Sequence, residues 1–367
     1  MGRGLGVAKA LKKQFGVVFD VDGVLLRGKT PIPGAADVLQ HLHDTKTPYA
    51  IMTNGGGVTE VKKAEQLSDI LKFEIPSTQL CLSHTPMREL VSTYENDMVL
   101  AVGKSCDKTR EVMEHYGFRN VVTASDLHSH FPASYPDISV SKVPHHGKFD
   151  ANDFRAVFVL MDPIYWGREI QIIMDVLTSH EGKYGTLADN DQHVNLYSAC
   201  SDFQYVGEHH LPRFGAGAFR AVMEVYCTLL YRIYSTYIYE TVSQDLYMRT
   251  TGTKLRQTLF GKPEPTSFEF AEKLLRHQLT AEDERLAAIY MVGDNPYTDI
   301  QVSRELDDSW PHDDQGANAA GGLWKSVLTR TGMFQGGLNH DDHPADAVVA
   351  DVGAGLKWIL QDFDSIP

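Results

Sequence analysis

The sequence has few cysteines and no long hydrophobic run. Its four cysteines form no CxxC pair, so we expect neither a zinc knuckle nor a disulfide framework, and this usage is typical of a reducing compartment. No window reaches the roughly 18 consecutive apolar residues of a membrane span, since even the apolar stretch at 227–239 contains Arg232. The sequence therefore predicts a protein without a membrane-spanning helix.

Basic residues are also in the minority. The chain has 34 lysines and arginines against 48 aspartates and glutamates, which gives a formal net charge of −14. This balance argues against a broad surface that neutralises nucleic-acid phosphates, and an anionic substrate would need a locally positive pocket. A length of 367 residues, with 43% hydrophobic and 22% charged residues, predicts a globular chain of about two domains.

Short β-branched runs recur along the chain, with helical stretches between them. The runs are 17–19, 49–51, 99–102, 157–160, 289–292 and 347–349. The stretches 35–42, 60–71 and 267–276 carry apolar residues at three- and four-residue spacing, as helices on a sheet do. This alternation predicts the α/β class, with a doubly wound parallel sheet of Rossmann type. The part between about 84 and 257 has strands and helices of its own, so we expect an inserted second domain.

Polar residues follow several of these strands, where ligands bind in open α/β sheets. Asp20 and Asp22 come straight out of an apolar strand, and alternation sends both carboxylates to one side of an extended chain. Two such carboxylates repel each other unless a cation or a shared proton intervenes. An aspartate pair in an ordinary strand-to-turn junction explains this motif, taken alone, equally well.

Three further segments are each weak by themselves. Thr53 and Asn54 run into three glycines, which together offer a hydroxyl, an amide and open backbone N–H groups for an oxyanion, although a plain turn also explains the glycines. Lys262 precedes a proline, and a lysine in this context is more often part of a solvated loop than of a binding site. Asp294 and Asp299 follow another apolar strand.

In their order and context, these segments resemble the four signatures of the haloacid dehalogenase superfamily of hydrolases. The resemblance implies that Asp20 is the nucleophile that takes the phosphoryl group, and that Asp22 protonates the leaving alcohol and then activates water. It also implies that Thr53, the Asn54 backbone and Lys262 bind the transferring phosphoryl group.

The same resemblance implies a Mg²⁺ cofactor. The ion would be held by the Asp20 carboxylate, the Asp22 backbone carbonyl and Asp294, because Mg²⁺ prefers a few carboxylates together with substrate oxygen and water. Asp299 would orient Lys262 or the metal site. Gly23 and Asn295 would support these residues.

The resemblance further implies a domain layout. A large cap inserted before the lysine motif is the arrangement of the class IIA branch, with core at 1–84, an inserted α/β cap at 85–256 and core again at 257–367. Within that branch the sequence is similar to the cat-eye-syndrome-critical-region-type subgroup, through 83–87, 162–163 with 166–167, and 215–219. Members of that subgroup are often mitochondrial, and the modestly basic start agrees with this, with the cytoplasm as the alternative.

Two segments depart from the family pattern. Residues 227–247 and 301–315 interrupt what otherwise reads continuously. They are either translated introns or genuine insertions, and a transcript sequence that retains both would remove the intron explanation.

The function predicted from these motifs is a Mg²⁺-dependent phosphatase of a small phosphorylated metabolite, which works through an aspartyl-phosphate. No nucleic-acid partner is expected, and a homodimer is compatible with the resemblance. The alternative is a catalytically weak relative that binds a phosphorylated ligand or a protein. A third interpretation, a nucleotide-sugar transferase metal motif at Asp20 and Asp22, leaves Lys262 and Asp294 unexplained.

Overall fold

The chain is described here by a computed structural model. It describes residues 12–136, 153–188, 191–205, 211, 213–224, 253–279, 284–301 and 323–366. The chain divides into two compact units. The first contains Met1–Thr53, Glu60–Cys81 and Lys262–Pro367, and the second contains Asn54–Thr59 and Leu82–Gly261.

Strands and helices alternate along the described residues. The strands are β1 (Lys12–Phe19), β2 (Leu26–Arg27), β3 (Thr30–Pro31), β4 (Tyr49–Thr53), β5 (Leu80–Leu82), β6 (Met98–Val102), β7 (Asn120–Thr123), β8 (Phe154–Val159), β9 (Asn195–Ala199), β10 (Gln204–Tyr205), β11 (Arg213–Phe214), β12 (Gln257–Phe260), β13 (Glu284–Gly293), β14 (Leu323–Thr329) and β15 (Ala347–Val349). The α-helices are α1 (Ala35–Asp44), α2 (Glu60–Leu71), α3 (Val91–Tyr94), α4 (Cys106–Tyr116), α5 (Ala124–His130), α6 (Trp166–Leu177), α7 (Ala216–Glu224), α8 (Pro265–Arg276) and α9 (Val352–Asp364). Short turns of 3₁₀ helix lie at Ser77–Gln79, Thr85–Leu90, Pro132–Ser134 and His180–Gly182, and one π-helical turn lies at Pro296–Ile300.

A six-stranded sheet in the order β15-β14-β13-β1-β4-β5 forms the centre of the first unit. Strand β1 pairs in parallel with both β13 and β4. Successive β1 side chains enter opposite layers, because Val17 and Phe19 pack with α1, α2 and α9 while Val18 packs with α8. Helices therefore cover both faces, and the strands are apolar on both sides as buried parallel strands are.

The second unit has a five-stranded sheet in the order β12-β9-β8-β6-β7, and all four strand pairs in it are parallel. Along β6, Leu100 and Val102 pack in one apolar cluster with residues of α5, α6 and α7. Val99 and Ala101 pack in another cluster with residues of α4. The unit is thus a second parallel α/β layer structure with its own core.

The predicted α/β class and parallel sheets are confirmed, and all six predicted β-branched runs lie in or at the end of a strand. The unit limits differ from the predicted domain limits in three places. The second unit already includes residues 82–84, although the predicted core extends to 84. Strand β12 pairs with β9 and so belongs to the second unit, although we assigned 257 onward to the core. Asn54–Thr59 also groups with the second unit. The interrupting segments lie outside the described residues, apart from Gln301.

None of the helices in the described ranges combines the length and the apolar character that crossing a bilayer requires.

Candidate active site

The candidate site lies at the carboxyl ends of adjacent strands of the first unit. Asp20 directly follows β1, Thr53 ends β4 and Asp294 directly follows β13. Parallel pairing brings these ends level, since Phe19 is the register partner of both Val292 and Ile51. The three polar residues are therefore placed at one edge of the sheet, where the sequence predicted a ligand site.

Lys262 joins two of the predicted aspartates. Its ammonium nitrogen lies 2.5 Å from Oδ1 of Asp20 and 2.7 Å from Oδ1 of Asp299. All three residues are buried, and Asp299 has no exposed surface. Because charge-assisted hydrogen bonds are strong in a buried setting, this shared ammonium fixes the two carboxylates relative to each other.

The Asp299 carboxylate uses both of its oxygens as acceptors. Oδ1 accepts from Lys262, and also from the Thr298 hydroxyl at 3.3 Å. Oδ2 accepts from the backbone N–H groups of Asp294 and Asn295, each at 3.1 Å. Asp299 thus ties the lysine to the loop that carries Asp294.

Asp294 is held by a loop that follows β14. Its Oδ2 accepts from the backbone N–H of Met333 at 2.6 Å, and its backbone carbonyl accepts from Phe334 at 3.0 Å. A Cβ at Gly332 would lie only 1.9 Å from the same Oδ2. The carboxylate therefore lies directly against backbone, and only glycine leaves it room.

The same loop holds the turn after Asp20. The Thr331 hydroxyl donates to the carbonyl of Gly23 at 2.5 Å, and the carbonyl of Thr331 accepts from Arg27 at 2.7 Å. Gly23 has φ +85°, and a Cβ there would lie 2.4 Å from Oδ2 of Asp294. Left-handed backbone and this close approach both require glycine at position 23.

Negative charge exceeds positive charge in this cluster, where Lys262 faces three buried aspartates. Burial raises the pKa of Asp20 well above its ordinary value, Lys262 opposes this rise, and the carboxylates of Asp299 and Asp294 add to it. Burial, with a further contribution from Asp299, raises the pKa of Asp294 to about 7. For Lys262, burial favours the neutral amine, but the two paired carboxylates outweigh it and raise the pKa above the ordinary value.

A divalent cation fits this donor set. Asp20, Asp294 and Asp299 each offer an oxygen, and these oxygens lie within 4.8 Å of one another. A hard cation would offset the excess negative charge and would lower the raised pKa values of Asp20 and Asp294. The Asp22 side chain is not part of this set: it is exposed. The role that the resemblance gave Asp22 in metal binding concerns its backbone carbonyl and stays a prediction.

The remaining predicted residues divide between the units. Thr53 is buried at the end of β4 in the first unit. Asn54 groups with the second unit, where its side-chain amide donates to Asp202 at 3.0 Å. Asn295 caps the π-helical turn by accepting from the backbone N–H of Tyr297.

Sequence reasoning missed the loop of Thr331, Gly332 and Met333. The sequence did offer a pattern that predicts this loop. The loop comes just after the apolar end of β14, as the other site segments come just after the apolar ends of their strands. Arg27 gave no such signal, since only the fold brings it to the Thr331 carbonyl, 304 residues away in sequence.

Comparison with known proteins identifies the family. Residues 17–119 match the family described as haloacid dehalogenase-like hydrolase, and residues 259–307 match a second family, of HAD-hydrolase-like proteins. A Saccharomyces cerevisiae protein named mitochondrial hydrolase is 30% identical over 384 residues, which cover 96% of this chain and 97% of that protein. The chain belongs to the haloacid dehalogenase-like hydrolases.

Two further comparisons are informative for this hydrolase. A Schizosaccharomyces pombe fusion protein, named cardiolipin synthase (CMP-forming) / mitochondrial hydrolase, is 31% identical over 350 residues, which cover 93% of this chain and 52% of that protein. The chain thus spans about half the length of that relative. The p-nitrophenyl phosphatase of Archaeoglobus fulgidus superposes with a TM-score of 0.58 at 14% identity, over 95% of this chain and 100% of that one. This likeness concerns the fold.

Proposed function

We propose that this hydrolase is a Mg²⁺-dependent phosphatase of a small phosphorylated metabolite. The observation that carries the proposal is the buried set of Asp20, Lys262, Asp299 and Asp294, in which one ammonium is shared by two carboxylates beside a third. Such a set combines a nucleophile, a fixed positive charge and cation ligands at one sheet edge. Phosphoryl transfer needs little more than positioning and charge stabilisation.

The reaction would proceed in two displacements at phosphorus. A carboxylate oxygen of Asp20 forms a bond to phosphorus while the ester P–O bond breaks, and Asp22 gives its proton to the leaving alkoxide. Asp22 then removes a proton from water as the water oxygen attacks the aspartyl-phosphate, which releases inorganic phosphate and restores Asp20. The exposed position of Asp22 suits an exchange of protons with the leaving group and with water.

Lys262 and Thr53 would bind the transferring phosphoryl oxygens, as donors fixed before the reaction. When bound, Mg²⁺ would supply a positive charge that offsets the charge of the phosphoryl oxygens. Asp20 and Asp294 would hold it, with the Asp22 backbone carbonyl. Asp299 would hold Lys262 and the Asp294 loop in place, and Gly23 and Asn295 would support the two turns.

The second unit would select the substrate as an inserted cap, in keeping with the class IIA resemblance. We also propose a mitochondrial location, which is supported by the names of the two yeast relatives. Subcellular fractionation of the tagged chain tests this location. A signal confined to the cytoplasmic fraction would contradict it.

The first experiment measures phosphate release from a panel of phosphorylated metabolites and from p-nitrophenyl phosphate, with Mg²⁺ or with a chelator. Asp20→Asn is the inactive variant, and Asp37→Asn, which changes an exposed aspartate of α1, is the matched control. We expect release that is lost with chelator and in Asp20→Asn but kept in Asp37→Asn. A folded, metal-loaded protein that releases no more phosphate than Asp20→Asn would instead favour the binding role.

A further inference from the structure

A buried histidine contacts the glycine-rich segment that directly follows Thr53, here called the glycine loop (residues 54–57). The backbone N–H of Gly57 donates to Nε2 of His84 at 3.1 Å. Gly57 has φ +79°, so the loop takes a backbone conformation at this point that favours glycine. Both residues belong to the second unit. His84 lies just after β5 and has no exposed surface.

The contacts of His84 define its protonation state. A backbone N–H can only donate, so Nε2 must be the unprotonated nitrogen of a neutral ring. The proton then lies on Nδ1, which contacts the hydroxyl of Tyr116 at 2.7 Å. Tyr116 ends α4, so this hydrogen bond anchors the ring to a helix of the second unit. The orientation of a histidine is commonly set in this way by the hydrogen bond at its other nitrogen.

The ring also packs against the glycine loop itself. A Cβ at Gly56 would lie 2.8 Å from Cδ2 of His84 and 3.2 Å from Oγ of Ser83. The Ser83 hydroxyl is buried and has no hydrogen-bond partner among the described residues. Close packing, rather than a polar contact of Ser83, therefore defines this side of the loop. His84 thus both limits the space beside Gly56 and bonds to the next residue.

We propose that His84 is a positioning residue of the phosphatase reaction, one that holds the glycine loop in the conformation that binds a phosphoryl group. This inference rests on the proposed function, because it concerns the segment after Thr53, whose Asn54 backbone the family resemblance assigns to phosphoryl binding. Backbone N–H groups bind anions well only when their directions are fixed beforehand. A fixed Gly57 amide restricts the rotation of the peptide groups before it, so His84 acts through the loop.

The experiment compares two polar replacements of His84 that differ only in reach. In His84→Gln the amide oxygen reaches the place of Nε2 and can accept from Gly57, whereas in His84→Asn it reaches only the place of Nδ1. His128→Asn is the control for the loss of a buried imidazole, since His128 has no exposed surface and bonds to the carbonyl of Tyr135 instead. The probe is inorganic phosphate, and its dissociation constant is measured by calorimetry with Mg²⁺ present.

We expect His84→Asn to weaken phosphate binding by about tenfold, the scale of one hydrogen bond to a charged ligand, and His84→Gln to stay within about twofold of the parent. Hydrogen exchange of the peptide that covers residues 54–57 is expected to speed up in His84→Asn alone. Equal phosphate affinity in both His84 variants would overturn the inference, and so would a loss in His128→Asn as large as that in His84→Asn.

Two further results complete the test. Where His84→Asn does not fold, Tyr116→Phe removes only the hydroxyl that holds Nδ1, and unchanged phosphate affinity and loop exchange there would count against the inference. Turnover of p-nitrophenyl phosphate by the parent reports separately on the proposed function. Phosphate binding that depends on His84 in a protein without turnover would refute the phosphatase while leaving the positioning contact in place.

Discussion

Lys262 and Asp299 are a buried ion pair, with 2.7 Å between Nζ and Oδ1, and Lys262 makes a second pair with Asp20 at 2.5 Å. One positive charge therefore serves two carboxylates that have little access to water. The arrangement makes Lys262 a structural residue as well as a predicted phosphate ligand, and the two roles have separate consequences.

Replacing the ammonium is expected to destabilise the fold. Lys262→Met leaves Asp20 and Asp299 without their buried partner, and a broken buried pair costs about 3 kcal/mol of unfolding free energy. Urea unfolding of the metal-free protein measures this loss. Lys325→Met is the matched control, because its pair with Asp362 is partly exposed and should be worth about 1 kcal/mol or less. Equal losses in the two variants would contradict the prediction.

Asp299→Asn is expected to lower turnover while the fold is kept. The amide has one acceptor oxygen in place of two, so it cannot hold both Lys262 and the backbone N–H groups of Asp294 and Asn295. Misplacement of catalytic groups on this scale costs about 100-fold in rate. Steady-state kinetics on p-nitrophenyl phosphate, with circular dichroism as the check on folding, measure the effect. Turnover within threefold of the parent would show that Asp299 is dispensable.

Gly332→Ala is expected to weaken metal binding. The new Cβ would lie 1.9 Å from Oδ2 of Asp294, so the carboxylate or the loop has to move. Gly336→Ala is the matched control, since nothing lies within 4 Å of a Cβ at that position. Titration of phosphate release with Mg²⁺ should show a half-saturating concentration raised at least about tenfold in Gly332→Ala, the effect of 1.4 kcal/mol, and little changed in Gly336→Ala. Identical titrations would contradict the close packing.

Metal affinity is expected to rise with pH around neutrality. In the metal-free protein the pKa of Asp294 is raised to about 7, so about one molecule in ten is ionised there at pH 6 and about nine in ten at pH 8. Since the cation needs the ionised form, its apparent affinity should grow about tenfold over this range. Calorimetry at the two pH values tests this, and equal affinities at pH 6 and pH 8 would contradict the prediction.

The same raised pKa affects the stability of the metal-free protein in the opposite direction. Between the lower pKa of the unfolded chain and about 7, the folded state binds more protons at Asp294 than the unfolded state does. The contribution of Asp294 to the free energy of unfolding is therefore fully present at low pH, and it is lost as the pH rises through about 7. Saturating Mg²⁺ should reverse the loss, because it binds the ionised carboxylate of the folded state.

Much of this arrangement could be predicted from the sequence, since it depends on local patterns. Apolar runs and helical spacing predicted the α/β layers, and polar residues at strand ends predicted that Asp20 and Asp294 belong to one sheet edge. The order of these motifs also predicted the family. In each case the residues of a short stretch are enough to make the prediction.

Other features depend on contacts between distant segments. Strand β12 joins the second sheet because it pairs with β9, and its sequence alone does not distinguish one sheet from the other. Likewise, the use of both Asp299 oxygens follows from the path of the π-helical turn Pro296–Ile300 and from the position of Lys262. Such facts follow only from three-dimensional packing.

The two glycines that enclose Asp294 have an evolutionary consequence. A Cβ at Gly23 or at Gly332 would collide with the same carboxylate oxygen, and a Cβ at Gly23 would also approach the backbone of Gly332. Positions 23, 294 and 332 therefore form a triplet that selection can alter only together. A homologue that has lost the aspartate is freed from the constraint on Gly332, whereas the left-handed backbone still favours glycine at position 23. A larger side chain at position 332 would therefore mark lineages in which this centre no longer functions.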